Sequence, residues 1–493
     1  MKHFITITLF LLAFYTNAQQ NINIGKKDSI FSKILGETRS LRIYTPDMTS
    51  KSPDAISRYP VLYVLDGDAH FYSTVGIVQQ LSQANGNSVL PEMIIVGIES
   101  TNRLKDFTPI INPSHTVDNT NSFVQFLAGE LIPFIEKNYN TAPYKMLAGH
   151  SLGGLLAMDI LCNHPNMFNA YIAIEPSMWY GDEKFLNQNI LAITKQKFTN
   201  SKLFIGIANT MPQGMDLAKL KNDASDETKH IRAIFKLSDF LKKNTISGLK
   251  YKQNYYSDDN HNSVSLISEY DGLRFIFDYY RLSLTEKDLT DSTPLIASKI
   301  KMHYEKISKE MGYKVTPPEA VIQYFGYEAL AKNQQAKAAA LFKLNIDNYP
   351  ESSKVYDAYA DYCVAKKDTV NAVKYYKMSL SKNTDPSIQH KLSMIVHSGS
   401  FNLTVNDLQK YATTYTIMPY NIDVEFYVRE NQLWSKVIGE SEEALIPVSE
   451  NVFTLKNKKG YTITFKMDGN KVTGFTSVQP DGTFKAVVKS KLK

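Results

Sequence analysis

The chain has 493 residues, more than one compact core accommodates, and at about 150 residues per domain it divides into roughly two to four domains. Hydrophobic residues make up 43% and charged residues 21%, a globular balance that excludes wholesale disorder. Lys and Arg number 55 against 49 Asp and Glu, and the formal +6 is spread without a dense basic block, so nothing points to nucleic acid. The two cysteines, Cys162 and Cys363, are too few for a disulfide scaffold or a cysteine-based zinc cluster, and both read as buried thiols.

Residues 1–18 read as a signal peptide. Lys2 and His3 precede an apolar run over 4–14, and Thr16-Asn17-Ala18 places small residues at a cleavage site. The expected product starts near Gln19 and is exported, periplasmic or secreted. No cysteine follows the apolar run, which excludes a lipoprotein anchor, and no later run of about 18 apolar residues suggests a membrane span.

Over residues 19–290, short apolar runs alternate with helical periodicity. Strands are expected at 40–44, 61–65, 93–98, 146–148, 170–174, 203–207 and 251–256, and helices at 123–138, 231–240 and 273–280. Buried strands alternating with helices predict an α/β fold, a mostly parallel sheet with helices on both faces. Over 291–400 the strand signal stops and an all-α region is expected. Two similar helical pairs recur there at a spacing of 36 residues, with Ala336 answered by Ala372 and Pro350 by Pro386. They resemble tetratricopeptide repeats, whose surface could take a protein partner. Over 401–493, strand patterns at 423–428, 433–437, 452–455, 461–467 and 471–478 predict a small antiparallel β domain. Asn431, Gly460, Asp468-Gly469 and Asp481-Gly482 supply its turns, and nothing in it looks catalytic.

The chemistry is signalled by Gly149-His150-Ser151-Leu152-Gly153-Gly154. It follows a short strand and opens an apolar helix, the setting in which a Gly-x-Ser-x-Gly turn lifts a serine hydroxyl into a cleft. Ser151 is the expected nucleophile. A serine needs a base, and in this chain order the acid and then the histidine follow. His164 lies at the far end of the serine's own helix. His230 lies in a helix-like stretch and reads as a surface or packing residue. His261, in a polar loop after the last strand, is the expected base. The acid should come from the loop after the strand at 203–207. Asp216 is preferred there, with Asp223, Asp226 and Glu227 as alternatives, and a Ser-His dyad remains possible. Leu152 and Gly67, the latter in the turn after the strand at 61–65, are expected to supply oxyanion-hole N–H groups. Trp179 and Phe71, with Met178, are candidate pocket residues.

Tyr59-Pro60-Val61-Leu62-Tyr63-Val64-Leu65-Asp66-Gly67 is followed in order by Asn102-Arg103, Asp106-Phe107-Thr108-Pro109, the elbow at 149–154, Pro176-Ser177-Met178-Trp179, His261 and Tyr270-Asp271-Gly272-Leu273. This series, over roughly residues 25–285, resembles the putative esterase family, which groups esterase D-like enzymes with esterases that cut trilactone siderophores. The resemblance implies an α/β-hydrolase fold and carboxylic-ester hydrolysis. It also implies Ser151 as nucleophile, His261 as base, and Gly67 and Leu152 as oxyanion donors. One residue departs from the pattern: Glu175 stands where a small residue is expected before Pro176-Ser177. The last 90 or so residues resemble small β domains appended to secreted serine hydrolases.

The expectation is therefore an exported serine esterase working through a Ser-His-acid triad and an acyl-enzyme, needing no metal or organic cofactor, on a small-molecule or polysaccharide ester. Two other classes stay open: a retired hydrolase fold that binds a glycan or protein, and a serine peptidase or amidase.

Overall fold

The computed structural model describes residues 23–46, 58–111, 117–118, 121–396, 403–437, 439–458, 460–480 and 482–489. The expected signal peptide lies outside these residues, as does Asp481 of the last expected turn. The chain divides into two compact units. One runs to residue 283 and includes 303–315; the other comprises 284–302 and the residues from 316 onward.

The first unit is built on strands β1 (Lys26–Ser32), β2 (Glu37–Tyr44), β3 (Tyr59–Leu65), β4 (Ile94–Ile98), β5 (Thr141–His150), β6 (Ala170–Ile174), β7 (Ser201–Ala208) and β8 (Leu249–Tyr256). They form one sheet in the order β1-β2-β4-β3-β5-β6-β7-β8. β2 pairs antiparallel with both β1 and β4, and every later pairing is parallel. Alternation along each strand divides the core between two faces. Val61, Tyr63 and Leu65 of β3 enter one cluster with Leu147 of β5 and Tyr171 of β6. Leu62 and Val64 enter a second with Met146 and Ile172. Such two-sided burial requires helices on both faces, which makes this the α/β-hydrolase architecture expected from sequence.

The helices that matter for the site are α1 (Gly67–Ser82), α2 (Arg103–Phe107), α3 (Leu152–Asn163), α4 (Lys229–Lys243) and α5 (Val264–Ile276). α5 covers 264–276, whereas apolar periodicity places a helix at 273–280. Its buried stripe is largely small or polar (Ser265, Ser268, Glu269, Gly272), so the pattern is faint. The close packing explains the small residues: a Cβ at Gly272 would stand 3.1 Å from Ile172 and Phe204 side-chain atoms. Ile307 and Met311, from the returning segment, complete the second cluster.

In the second unit, helices α6 (Glu319–Ala331), α7 (Gln335–Asn348), α8 (Ser353–Ala365) and α9 (Thr369–Lys382) form two hairpins. Equivalent helix starts, Glu319 with Ser353 and Gln335 with Thr369, lie 34 residues apart, so the spacing of 36 read from Ala336 and Pro350 is corrected by two. The buried alanine at the second-helix crossing is Ala338, which matches Ala372. Strands β9 (Thr414–Met418), β10 (Ile422–Arg429), β11 (Gln432–Val437), β12 (Glu443–Ser449), β13 (Val452–Leu455), β14 (Thr462–Asp468), β15 (Lys471–Gln479) and β16 (Gly482–Val488) follow. They close into an antiparallel barrel through β9–β16 pairing. Tyr415, Phe426, Phe453, Phe465 and Phe475 interlock inside, with Phe426 and Phe465 5.2 Å apart and Tyr415 and Phe475 5.3 Å apart. The interior is a packed aromatic core.

Candidate active site

Ser151 sits at the turn from β5 to α3 with φ 59 and ψ −114, a region that L-residues rarely occupy. The flanking glycines are required by space. A Cβ at Gly149 would stand 2.4 Å from the Gly153 carbonyl oxygen, and one at Gly154 would stand 2.9 Å from the Ile174 carbonyl oxygen. The Ser151 N–H donates to that same Ile174 carbonyl at 2.9 Å, so the elbow is fastened to the end of β6. The first N–H groups of α3 have no partner in a preceding turn and point toward the serine end of the helix.

His261 lies in the loop between β8 and α5, and its Nε2 is 3.1 Å from Ser151 Oγ. The loop is held from several sides. His150 Nε2–H donates to the His261 carbonyl at 2.7 Å, Asn209 N–H donates to the Asp259 carbonyl at 2.8 Å, and Asn260 Oδ1 accepts from the N–H groups of Asn262 and Ser263. Burial, and then the facing His261, push the His150 imidazole down to about 4, so it stays a neutral donor.

The carboxylate that meets His261 is Glu175, whose Oε2 is 3.2 Å from His261 Nδ1. Register explains the approach. His150 of β5 pairs with Ile174 of β6, so the next residues, Ser151 and Glu175, leave adjacent strands side by side. Glu175 is fully buried, with φ 45. Its Oε1 accepts the Ala208 N–H at 2.5 Å, and its Oε2 also accepts from His230 Nε2 at 2.9 Å. Burial alone would raise this carboxyl; hydrogen bonds from His230 and His261 outweigh it and hold the group below the usual range, as an anion.

The acids expected in the loop after β7 are placed elsewhere. Asp216 is exposed and caps a short helical turn, accepting from the N–H groups of Ala218 and Lys219 at 2.9 and 2.8 Å. Asp223 accepts from Ser225 and Thr228, and Asp226 and Glu227 open an exposed turn. That loop folds on itself, and the carboxylate reaches His261 from β6 instead. Glu175, the departure from the family pattern, is the carboxylate that stands at His261 Nδ1. His230, read as surface or packing, lies on α4 with its Nε2 on Glu175.

Gly67 opens α1 directly after β3, and a Cβ there would stand 2.4 Å from the Gly97 backbone. Arg103 ties this turn to the elbow. Its Nε and Nη2 donate to Asp66 at 2.9 and 3.1 Å, and Nη2 also donates to the His150 carbonyl at 3.2 Å. Burial raises the Asp66 carboxyl against the opposing pull of Arg103. Trp179 is 41% exposed on the turn after Ser177, whose own Oγ lies 3.4 Å from Ser151 Oγ. Phe71 and Met178 are core: Phe71 is 1% exposed beneath Gly97, and Met178 is fully buried in the first cluster. They pack the walls rather than line an open pocket.

Glu175, His230 and His261 also bring three donor atoms within 4.8 Å of one another, the spacing of a cation site. The hydrogen-bonded arrangement accounts for them better. A metal on His230 Nε2 would put the ring's proton on Nδ1, which is buried with no partner among the described residues, whereas ligating histidines almost always donate their other N–H.

Comparison with known proteins follows the geometry. A family model described as "Putative esterase" matches residues 32–234, a segment that holds the elbow and Glu175 and stops short of His261. The YbbA protein of Bacillus subtilis, uncharacterized, is 26% identical over 211 residues, 41% of this chain and 80% of its own. The ferri-bacillibactin esterase BesA of Bacillus subtilis is 27% identical over 191 residues, 35% of this chain and 65% of its own, just under two thirds. An IroE-like serine hydrolase from Shewanella oneidensis superposes with a TM-score of 0.53 and 29% identity over 65% of this chain and 98% of that one. The fold is that of an α/β-hydrolase. Over that matched segment the first unit is similar to the putative esterase family.

Proposed function

We propose that the protein is a serine hydrolase of carboxylic esters, with Ser151, His261 and Glu175 as its triad. The observation that carries this reading is the continuous path from Ser151 Oγ to His261 at 3.1 Å and from His261 to Glu175 at 3.2 Å. Ser151 Oγ bonds to the ester carbonyl carbon while His261 Nε2 takes its proton. The oxyanion rests on N–H groups at the starts of α3 and α1, those of Leu152 and Gly67. His261 then protonates the departing alcohol oxygen as the C–O bond breaks. Water, losing a proton to His261, attacks the acyl-Ser151 ester and releases the acid. Glu175 holds the imidazole with Nε2 facing the serine and balances the imidazolium charge.

The names of relatives that act on bacillibactin and salmochelin, together with the signal-like sequence at 1–18, support an exported enzyme whose substrates include siderophore esters. Among the described residues, no helix is long and apolar enough to cross a membrane.

The test is hydrolysis of p-nitrophenyl acetate and butyrate with Ser151→Ala as blank. Glu175→Gln should lower kcat by about 10³ to 10⁴, and Asp216→Ala should stay within about twofold of wild type. A wild type no more active than Ser151→Ala across short esters rejects the enzyme. Loss in Asp216→Ala with Glu175→Gln intact rejects the assignment of the acid.

A further inference from the structure

In this site one carboxylate oxygen serves two imidazoles. Glu175 Oε2 accepts from His261 Nδ1 at 3.2 Å and, more closely, from His230 Nε2 at 2.9 Å. The two rings stand 5.2 Å apart at 76°. The orienting carboxylate of a serine triad needs one histidine, and the second donor competes for the same lone pairs.

We propose that His230 is a positioning residue that acts through Glu175 to set the basicity of His261. It rests on the serine-hydrolase reading above. With Nε2–H donating, the neutral ring bears no hydrogen on Nδ1, which suits an atom buried without a partner, since an orphaned N–H there costs more. His230 thus anchors Oε2 while Ala208 N–H anchors Oε1, and the carboxylate cannot rotate away from His261. The same bond draws charge from Oε2. Removing it leaves more uncompensated negative charge on Oε2 beside His261, whose imidazolium then keeps its proton to higher pH, while the loosened carboxylate orients the base less well.

The other groups facing this trio keep their places. His150 packs against His261 at 4.6 Å with His70 behind it, and both are held down chiefly by burial. Tyr255 of β8 feels burial and then the Glu175 charge. Asp258 and Asp259 belong to the loop of His261, where Asp259 accepts from Ser263. Beside His230 on α4, Lys229 pairs with Asp182, and Arg232 donates to Thr228 and Ser225. Asp226 and Glu227 are exposed in the turn that leads into α4, and Arg103 is paired with Asp66.

The experiment compares wild type, His230→Phe and His230→Gln in p-nitrophenyl acetate hydrolysis from pH 5 to 9. His230→Phe keeps a ring and loses the donor; His230→Gln restores an N–H near the Nε2 position. In His230→Phe the acid limb of kcat/KM should move up by roughly half to one pH unit. Its kcat should fall about tenfold with KM within about twofold, and His230→Gln should recover both to within about threefold. An unmoved acid limb in His230→Phe, or equal loss in both variants, overturns the proposal. An inert wild type rejects the ester reading itself. Imidazole ¹⁵N titration of His261, assigned with His261→Gln, still decides the proposal: an upward move in His230→Phe supports it, and no move overturns it.

Discussion

Replacing Glu269 with Gln tests how α1, which opens at Gly67, is locked to α5, which follows the His261 loop. Glu269 on α5 is 3% exposed, and its Oε2 is 2.8 Å from Thr74 Oγ1 on α1. Thr74 Oγ1 is also 2.9 Å from the His70 carbonyl, and a hydroxyl has one hydrogen to donate. Both contacts are satisfied when Glu269 is neutral: its O–H donates to Thr74, and Thr74 donates to His70. Burial pushes the Glu269 carboxyl up from 4.5 to about 7, against the weaker opposing pull of Thr74. The folded chain therefore keeps this proton over a range in which the unfolded chain has released it. The contribution is complete below about 4.5 and is lost as pH rises through about 7; the gap corresponds to roughly 3 kcal/mol, most of it between pH 5 and 8. Gln supplies an N–H for Thr74 at every pH, so Glu269→Gln should match wild type near pH 4.5 and exceed it by roughly 2–3 kcal/mol at pH 8. Urea unfolding read by Trp179 fluorescence, in a Trp434→Phe background, isolates the first unit. His70 and His150, whose lowered values make stability rise with pH in the acid range, contribute equally to both proteins and cancel in the difference. A variant-minus-wild-type difference that is the same at pH 5 and pH 8 refutes the reasoning.

Two further substitutions test the packing. Gly149→Ala drives a methyl to 2.4 Å from the Gly153 carbonyl oxygen and should cost more than about 3 kcal/mol or abolish soluble expression. Gly76→Ala, on the open face of α1 with nothing within 4 Å, should add about 0.5–1 kcal/mol; thermal melts compare the two. Asp106→Asn breaks the bidentate pair with Arg39, whose side chain is fully buried and retains Glu37 as a carboxylate partner, and should cost about 3 kcal/mol in urea unfolding; recovery of much of that loss by Arg39→Met with Asp106→Leu would show that the cost is the under-compensated buried charge.

Most of the sheet was legible because its strands are buried on both faces and read as unbroken apolar runs. The apolar run at 170–174 coincides with β6. β1, which opens on three consecutive charged residues, Lys26, Lys27 and Asp28, gives no such signal. In the second unit, β9, β12 with its Pro447, and β16 were missed, and barrel closure depends on a β9–β16 pairing that no local pattern encodes. Ser151 and His261 stood out because an elbow and a polar post-strand loop are local signatures. Glu175 did not, because chain order directed attention to the loop after β7. What brings it to His261 is sheet register. The local signal is a charged residue directly after an all-apolar strand, followed by Pro176. His230 is separated from Glu175 by 55 residues and gave no signal at all.

In the proposed triad the carboxylate stands directly after β6, and the segment between β7 and α4 supplies none of its members. Beyond Asn209, which braces the base loop, residues 210–225 hold no member of the Ser151–His261–Glu175 path. On the proposed reading, segments can be exchanged there without touching Ser151, Glu175 or His261, which stand at the ends of β5 and β6 and in the loop after β8.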